Sequence, residues 1–211
     1  MRGLFISLEG GDGAGKSTQM DNIEKYFTER GYTCVRTREP GGTPIGEKIR
    51  EILLDKNNGE MDGVPEMMLY AASRAQHVRE FIRPALERGE VVICDRFVDS
   101  SIAYQKYGRE LGDMVSTVNS FAVDGTMPDI TFWMDIDPES GRKRIGKRED
   151  SELDRLESEK MDFHYRVYDG YRKLCEEDPV RVKRIDATGS IEEIKNEIYE
   201  HLDELCSRIH C

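Results

Sequence analysis

Between Gly10 and Ser17 the chain reads Gly-Gly-Asp-Gly-Ala-Gly-Lys-Ser, and no other stretch constrains the fold as strongly. It fits the spacing G-x-x-x-x-G-K-[ST], in which glycines let backbone N–H groups wrap around phosphate oxygens because no Cβ blocks the approach. Both flanks agree with that reading. Leu4 to Leu8 is a short apolar run that predicts a buried strand, and Thr18 to Arg30 has helical spacing, with Met20, Ile23 and Phe27 on one face. Strand, glycine loop and helix in that order make a phosphate-binding loop. The helix start adds unpaired N–H groups and the positive end of its dipole. The candidate nucleotide-binding residues are therefore Gly10, Gly11, Asp12, Gly13, Ala14, Gly15, Lys16, Ser17 and Thr18. Lys16 can reach the β- and γ-phosphates, and the Ser17 hydroxyl can ligate Mg²⁺.

Composition narrows what such a loop can serve. The 211 residues suffice for one large domain, and 37% hydrophobic with 35% charged residues describes a soluble, highly charged surface. No apolar run is long enough to cross a bilayer, and the first residues lead directly into the predicted strand without a leader pattern. Cys34, Cys94, Cys175, Cys206 and Cys211 are odd in number and include no C-x-x-C, which fits buried reduced thiols in a cytoplasmic protein. The four histidines lack zinc-ligand spacing. A formal charge of −11 argues against broad nucleic-acid binding, so an anionic substrate needs local basic clusters.

Thr33 to Thr37 predicts a second strand, and Arg38-Glu39-Pro40-Gly41-Gly42-Thr43-Pro44 a loop at the place where open α/β sheets bind ligands. Ile45, Ile49, Ile52 and Leu53 predict one side of a helix; its Arg50 is either a solvated surface group or faces the ligand. Pro65 opens another helix, with Met67, Met68 and Leu69 as core residues and His77 as surface or packing. Arg74 stands between Ser73 and Ala75, which leave room for a ligand. A further helical pattern spans Val78 to Leu86.

Val91 to Asp95 is an apolar strand ending in an acid, and beside a phosphate loop such a carboxylate can bind Mg²⁺ or its waters. Arg96 would point into the same crevice. From Phe97 to Gln105, the two hydroxyl groups of Ser100 and Ser101, the phenol of Tyr104 and the amide of Gln105 could read a base edge and a sugar, or cap and pack a helix. Residues 113 to 124 predict a helix, Ile130 to Ile136 a strand, and Asp137-Pro138 the start of a helix with Asp137 as its N-cap. Gly141 to Arg148 is the densest basic run. It reads either as a solvated helix face pairing with Glu149 to Asp154, or as a mobile lid whose arginines close on transferring phosphates, with Gly146 as hinge. Met161 to Cys175 predicts a helix, Val180 to Ile185 a strand, and Ile191 to Ile209 a last helix.

Five strands alternating with helices predict an α/β fold, a five-stranded parallel sheet with helices on both faces. Right-handed crossovers gather the C-terminal ends of the first three strands. The phosphate loop, the segment from Arg38 to Arg50 and Asp95-Arg96 then meet in one crevice, which fits ATP plus a second, anionic substrate.

Taken together, Leu8-Glu9-Gly10-Gly11-Asp12-Gly13-Ala14-Gly15-Lys16-Ser17-Thr18, Arg38-Glu39-Pro40-Gly41-Gly42-Thr43, Tyr70-Ala71-Ala72-Ser73-Arg74, Asp95-Arg96 and Glu152-Leu153-Asp154-Arg155 resemble the thymidylate kinase family over nearly the whole chain. The resemblance implies a P-loop nucleoside triphosphate hydrolase-type three-layer fold, forming one kinase domain over 1–211 with a lid at about 141–156. It implies Mg²⁺-dependent transfer from ATP to dTMP, and a homodimer with no nucleic-acid or membrane partner. By the same resemblance Asp12 would contact the sugar 3′-hydroxyl, and Arg50 and Arg96 would hold the dTMP phosphate. Tyr70, at a position commonly Phe, would stack on thymine; Arg74, Ser101 and Gln105 would read its edge, and Tyr104 would crowd the 2′ position. Gly13 stands where the eukaryotic type carries an arginine. In the prokaryotic type that role falls to the lid, which fits Arg144 and Arg148 acting with Lys16 and Asp12, although the spacing before Glu152 is longer than in many relatives.

Other readings fit less well. A nucleoside kinase needs a carboxylate base at a 5′-hydroxyl, and two arginines there favour a phosphate instead. A GTPase-like switch needs an N-K-x-D segment, and the sequence contains none. A regulatory protein that binds ATP without turnover has no need for Lys16, Ser17 and Asp95 together.

Overall fold

The computed structural model describes residues 2–146 and 153–209. Five strands, β1 (Phe5–Glu9), β2 (Cys34–Arg38), β3 (Val91–Asp95), β4 (Ile130–Asp135) and β5 (Val182–Asp186), form one sheet in the order β2-β3-β1-β4-β5. Every neighbouring pair is parallel. The strand order reverses between β1 and β3, so the end of β1 and Asp95 at the end of β3 flank the crevice where ligands bind in such sheets.

The helices are α1 (Lys16–Thr28), α2 (Pro44–Leu54), α3 (Gly63–His77), α4 (Arg83–Glu87), α5 (Val98–Ser101), α6 (Met114–Val123), α7 (Pro138–Ile145), α8 (Met161–Glu177) and α9 (Ile191–Ile209). Local chemistry explains several starts. Thr43 accepts from the Gly46 N–H at 3.0 Å and is followed by Pro44, so α2 begins there. Asp137 caps α7 through the Ser140 N–H at 3.0 Å, as the sequence predicts. The helical pattern predicted separately over Val78 to Leu86 is continuous with α3 through a π-helical turn, Val78–Ile82. Pro84 lacks the N–H that a regular helix would use there, and the wider turn absorbs the gap. A second π-helical stretch, Ile102–Gly108, extends α5 and carries Tyr104 and Gln105.

Alternation along β1 sorts the core. Ile6 and Leu8 pack with Ile23 and Phe27 of α1 and Ile198 and Leu202 of α9 on one face. Phe5 faces the other side, against Val78, Ile82 and Phe97. On that same side Trp133 of β4 meets Phe163, Val167 and Tyr171 of α8. Each of these fully buried side chains stabilises the fold by about 1.5–3 kcal/mol relative to an exposed one. Two apolar readings do not hold. Met68 is exposed although Met67 is buried, and of the four apolar residues read as one side of α2 Leu53 is buried and Ile49 half-buried while Ile45 and Ile52 face outwards. Among the described cysteines Cys94 is buried and Cys34, Cys175 and Cys206 are half-buried, all unpaired.

Candidate active site

Glu9 ends β1 and the chain turns at once at Gly10, where a φ of 129° and the Met134 carbonyl oxygen, which a Cβ would approach to 2.7 Å, leave no space for a side chain. Gly15 is the N-cap of α1 with no side chain capping the first turn, which leaves the orphan N–H groups of Lys16, Ser17 and Thr18 for an anion. Lys16 is buried, and its Nζ donates to the carbonyls of Gly10 and Gly11, each at 3.2 Å. It stands 4.0 Å from both Asp12 and Asp95. Burial, and then the neighbouring Arg96, lower the Lys16 pKa, while the three carboxylates Asp95, Asp12 and Glu9 hold it up. Oδ1 of Asp95, at the end of β3, is buried without a hydrogen-bond partner, and Ser17 is exposed in the first turn of α1.

Arg96 follows β3 in the left-handed region at φ 68°, a conformation that costs a non-glycine residue on the order of 1–3 kcal/mol. Its N–H donates to the Leu8 carbonyl at 2.9 Å, which holds it there. The side chain reaches Asp12 at 3.3 Å and lies 5.2 Å over the Tyr104 ring. Beneath it sits Glu9, fully buried, accepting from the Phe97 N–H at 2.7 Å, Ser100 at 2.5 Å and Tyr171 at 2.8 Å. Burial pushes the Glu9 carboxyl up to about 7, with Asp99 adding to it and Ser100 and Arg96 opposing. Asp12 is held below the usual carboxylate range by Arg96 and Lys16, against the effect of burial, which is the largest single influence and raises it.

A cavity of about 160 Å³ opens beside Asp12 and Lys16 and is lined by all seven predicted acceptor residues, Arg50, Tyr70, Arg74, Arg96, Ser101, Tyr104 and Gln105. Arg50 lines it from α2, half-buried and donating to the Pro40 carbonyl at 2.9 Å. Arg74 is almost wholly buried. Its Nε meets Glu39 at 2.8 Å, its Nη1 meets Ser101 at 2.8 Å and Asn119 at 2.5 Å, and its Nη2 meets the Phe97 carbonyl at 2.9 Å. Ser101 thus stands behind Arg74 as its acceptor. Gln105 donates through Nε2 to Glu66 at 2.9 Å.

A second cavity, of about 360 Å³, lies against β4 and α8 and shares Asp12, Tyr104, Glu157 and His164 with the first. Gly141 of α7 packs so closely on the phosphate loop that a Cβ would come within 2.8 Å of the Asp12 carbonyl. Of the basic run, Arg142 lines this cavity, whereas Arg144 is exposed, donates to the Ala187 carbonyl at 2.7 Å and lines neither cavity. Arg148 lies outside the described residues.

Several groups escaped the sequence reading. Glu9 and Glu66 are buried carboxylates behind the cavity, Glu39 is a buried one in its wall, and His77 is fully buried, bridging Thr37 at 2.6 Å and Glu39 at 2.9 Å. Glu9 and Glu39 stand inside the quoted motifs, so position beside a strand end was the available signal; Glu66 and His77 carried none beyond their helix.

A family model described as thymidylate kinase matches residues 8–198. The chain is 49% identical over 198 residues to the thymidylate kinase of Clostridium novyi, covering 93% of this chain and 97% of that one. It is 53% identical over 201 residues to that of Halothermothrix orenii, covering 94% and 96%. A crystal structure of thymidylate kinase from Ehrlichia chaffeensis superposes with a TM-score of 0.78 at 32% identity, over 96% of this chain and all of that chain.

Proposed function

The chain belongs to the thymidylate kinase family, and on that premise we propose which residues carry its reaction, the transfer of the γ-phosphoryl group of ATP to dTMP to give dTDP. The observation that carries the assignment is the phosphate cradle and the acceptor cavity meeting at Asp12 and Lys16. Gly10 to Thr18 bind the ATP phosphates, and Lys16 meets the charge on the transferred group. Arg50 and Arg96 hold the dTMP phosphate, already an anionic nucleophile, so no strong base is needed. Catalysis then rests on alignment and charge. Asp12 orients Arg96 and meets the sugar 3′-hydroxyl. Tyr70 stacks on thymine, Arg74 and Gln105 read its edge with Ser101 fixing Arg74, and Tyr104 crowds the 2′ position.

Mg²⁺ belongs to the proposal. The unpartnered buried oxygen of Asp95 and the Ser17 hydroxyl are the donor types that a phosphate-bound Mg²⁺ takes, and those two residues would hold it. When bound, it would neutralise phosphate charge. The catalytic lid arginine is assigned to Arg148, because Arg144 is engaged with Ala187. A single domain over 1–211 with its lid at about 141–156 is part of the same reading. So is a homodimer through α2, α3 and α6, supported by exposed Ile45, Ile52, Met68 and Phe121 on three helices packed in series. Location in the cytoplasm is proposed from the unpaired cysteines; among the described residues no helix is long and apolar enough to cross a membrane.

A coupled ADP-release assay across the common nucleoside monophosphates tests the acceptor. dTMP should rank first and AMP last, with dUMP lower than dTMP by about 10–200-fold in kcat/KM for want of the methyl group. Equal kcat/KM for dTMP and AMP would overturn the assignment of the cavity.

A further inference from the structure

Behind the acceptor cavity, Glu66 of α3 is a fully buried carboxylate with four donors on its two oxygens. Oε1 takes Gln105 Nε2 at 2.9 Å and Arg109 Nε at 3.2 Å; Oε2 takes Arg109 Nη2 at 2.9 Å and Arg155 Nη1 at 2.7 Å. Two guanidinium groups keep it ionised, and an ionised carboxylate only accepts. The amide of Gln105 therefore has one permitted orientation. Its NH₂ faces Glu66, and its carbonyl Oε1, which accepts no hydrogen bond among the described residues, is left for the cavity that Gln105 lines. Next to it, Arg74 spends four of its five N–H groups on Glu39, Ser101, Asn119 and the Phe97 carbonyl, which leaves one Nη2 donor.

We propose that Glu66 is a specificity-determining positioning residue: it fixes Gln105 as a hydrogen-bond acceptor, so that the cavity takes bases with an N–H donor beside a carbonyl and rejects those with the reverse pair. The inference rests on the reading of this cavity as the nucleobase site. A 4-oxo pyrimidine offers a carbonyl to Arg74 and an N3–H to Gln105. Cytosine offers an amino group and a bare N3, and meets like with like at both positions. Arg155 carries the same carboxylate to the chain beyond the acceptor site, since its Nε also holds the Leu53 carbonyl at 2.8 Å and its N–H the Leu54 carbonyl at 3.2 Å.

Glu66→Gln tests the inference. The oxygen of the new amide takes the place of Oε2, between the two arginines, so its NH₂ faces Gln105. Gln105 must then turn its carbonyl towards residue 66 and its own NH₂ into the cavity. The ratio of kcat/KM for dTMP to that for dCMP should fall by about tenfold or more, because dTMP loses its acceptor and meets a donor. A merely structural residue would lower both values together and leave the ratio unmoved. In wild-type protein labelled with ¹⁵N, the Gln105 side-chain amide, identified by its loss in Gln105→Met, should show one hydrogen protected from solvent exchange with and without dTMP. This second measurement stands whether or not the variant folds. A wild-type enzyme that does not prefer dTMP to dCMP would defeat the nucleobase reading of the cavity. A wild-type preference that survives intact in Glu66→Gln, or a freely exchanging Gln105 amide, would defeat the role of Glu66 alone.

Discussion

In the phosphate loop, the groups aimed at a ligand are backbone N–H groups at the start of α1 and one side chain, Lys16, whose own partners are carbonyls of the same loop five and six residues away. In the acceptor cavity they are side chains, and three of those that line it are held by a carboxylate far along the chain. Glu39 lies 35 residues from Arg74, Glu66 39 residues from Gln105, and Glu9 91 residues from Ser100. The first site is made by local backbone geometry and needs only glycine and one cation. The second is made by tertiary packing, and its accuracy depends on buried groups that hold the side chains lining it. Damage should therefore separate cleanly: the loop loses rate, whereas the supports of the cavity lose acceptor affinity and choice.

The largest effect is expected at Lys16. Lys16→Met should lower kcat by at least about 10²–10³-fold with the far-ultraviolet circular dichroism of the wild type, since the lysine's hydrogen bonds go to its own loop and its ion pair with Asp95 is long, at 4.0 Å. A variant with near-normal kcat would remove the loop from the centre of the reaction. Next comes the basic run. Arg148→Ala should lower kcat far more than it raises either KM, because the charge it meets develops only as the phosphoryl group leaves. Arg144→Ala should change kcat by less than about threefold, as its guanidinium is engaged at the Ala187 carbonyl. Steady-state kinetics on both variants decides between them, and a reversed order would show Arg144 to be the lid arginine.

A smaller effect, in stability and not rate, is expected at Glu9. Burial raises its carboxyl in the folded protein to about 7 from the 4.5 of an exposed glutamate, so the folded state keeps a proton that the unfolded chain gives up between those values. The stabilisation is complete below about pH 4.5 and is lost as pH rises through about 7. Glu9→Gln cannot titrate. The Tm of the wild type should fall relative to that of Glu9→Gln between pH 5 and pH 8, by about 2–4 °C for each kcal/mol involved. Parallel Tm curves would mean that Glu9 is ionised throughout.

The two regions also differ in how far the sequence revealed them. Strand, loop and helix around Gly10 to Ser17 were legible because the motif is contiguous and its glycines answer to local backbone conformation, with φ of 129° at Gly10, 77° at Gly13 and 87° at Gly15. β1, β3 and β4 were legible because strands buried on both faces read as apolar runs, whereas the edge strands β2 and β5 carry Arg36, Arg38, Lys183 and Arg184 and give a weaker signal. Of the cavity, the side chains were named through family resemblance, while from the residues alone Arg50 stayed undecided, since nothing local says that it turns towards Pro40. Helical periodicity misled where α2 and α3 leave Ile45, Ile52 and Met68 outside: spacing reports one apolar face and cannot say what covers it. Pro84 sits in plain sight, yet its missing N–H says only that a regular turn is interrupted there, not that α3 runs on into α4 through a π-helical one.

The division between a self-contained loop and an externally supported cavity is tested most directly by titrating Glu39→Gln with dTMP and, separately, with a non-hydrolysable ATP analogue in a calorimeter. Glu39 holds Arg74 at 2.8 Å and His77 at 2.9 Å, and it does not contact the phosphate loop. Loss of its charge leaves the Arg74 guanidinium buried beside a neutral amide, free to shift from the base edge. The account predicts dTMP binding weakened by about tenfold or more with the affinity for the ATP analogue unchanged. Equal weakening of both ligands, or undiminished dTMP binding, would contradict it.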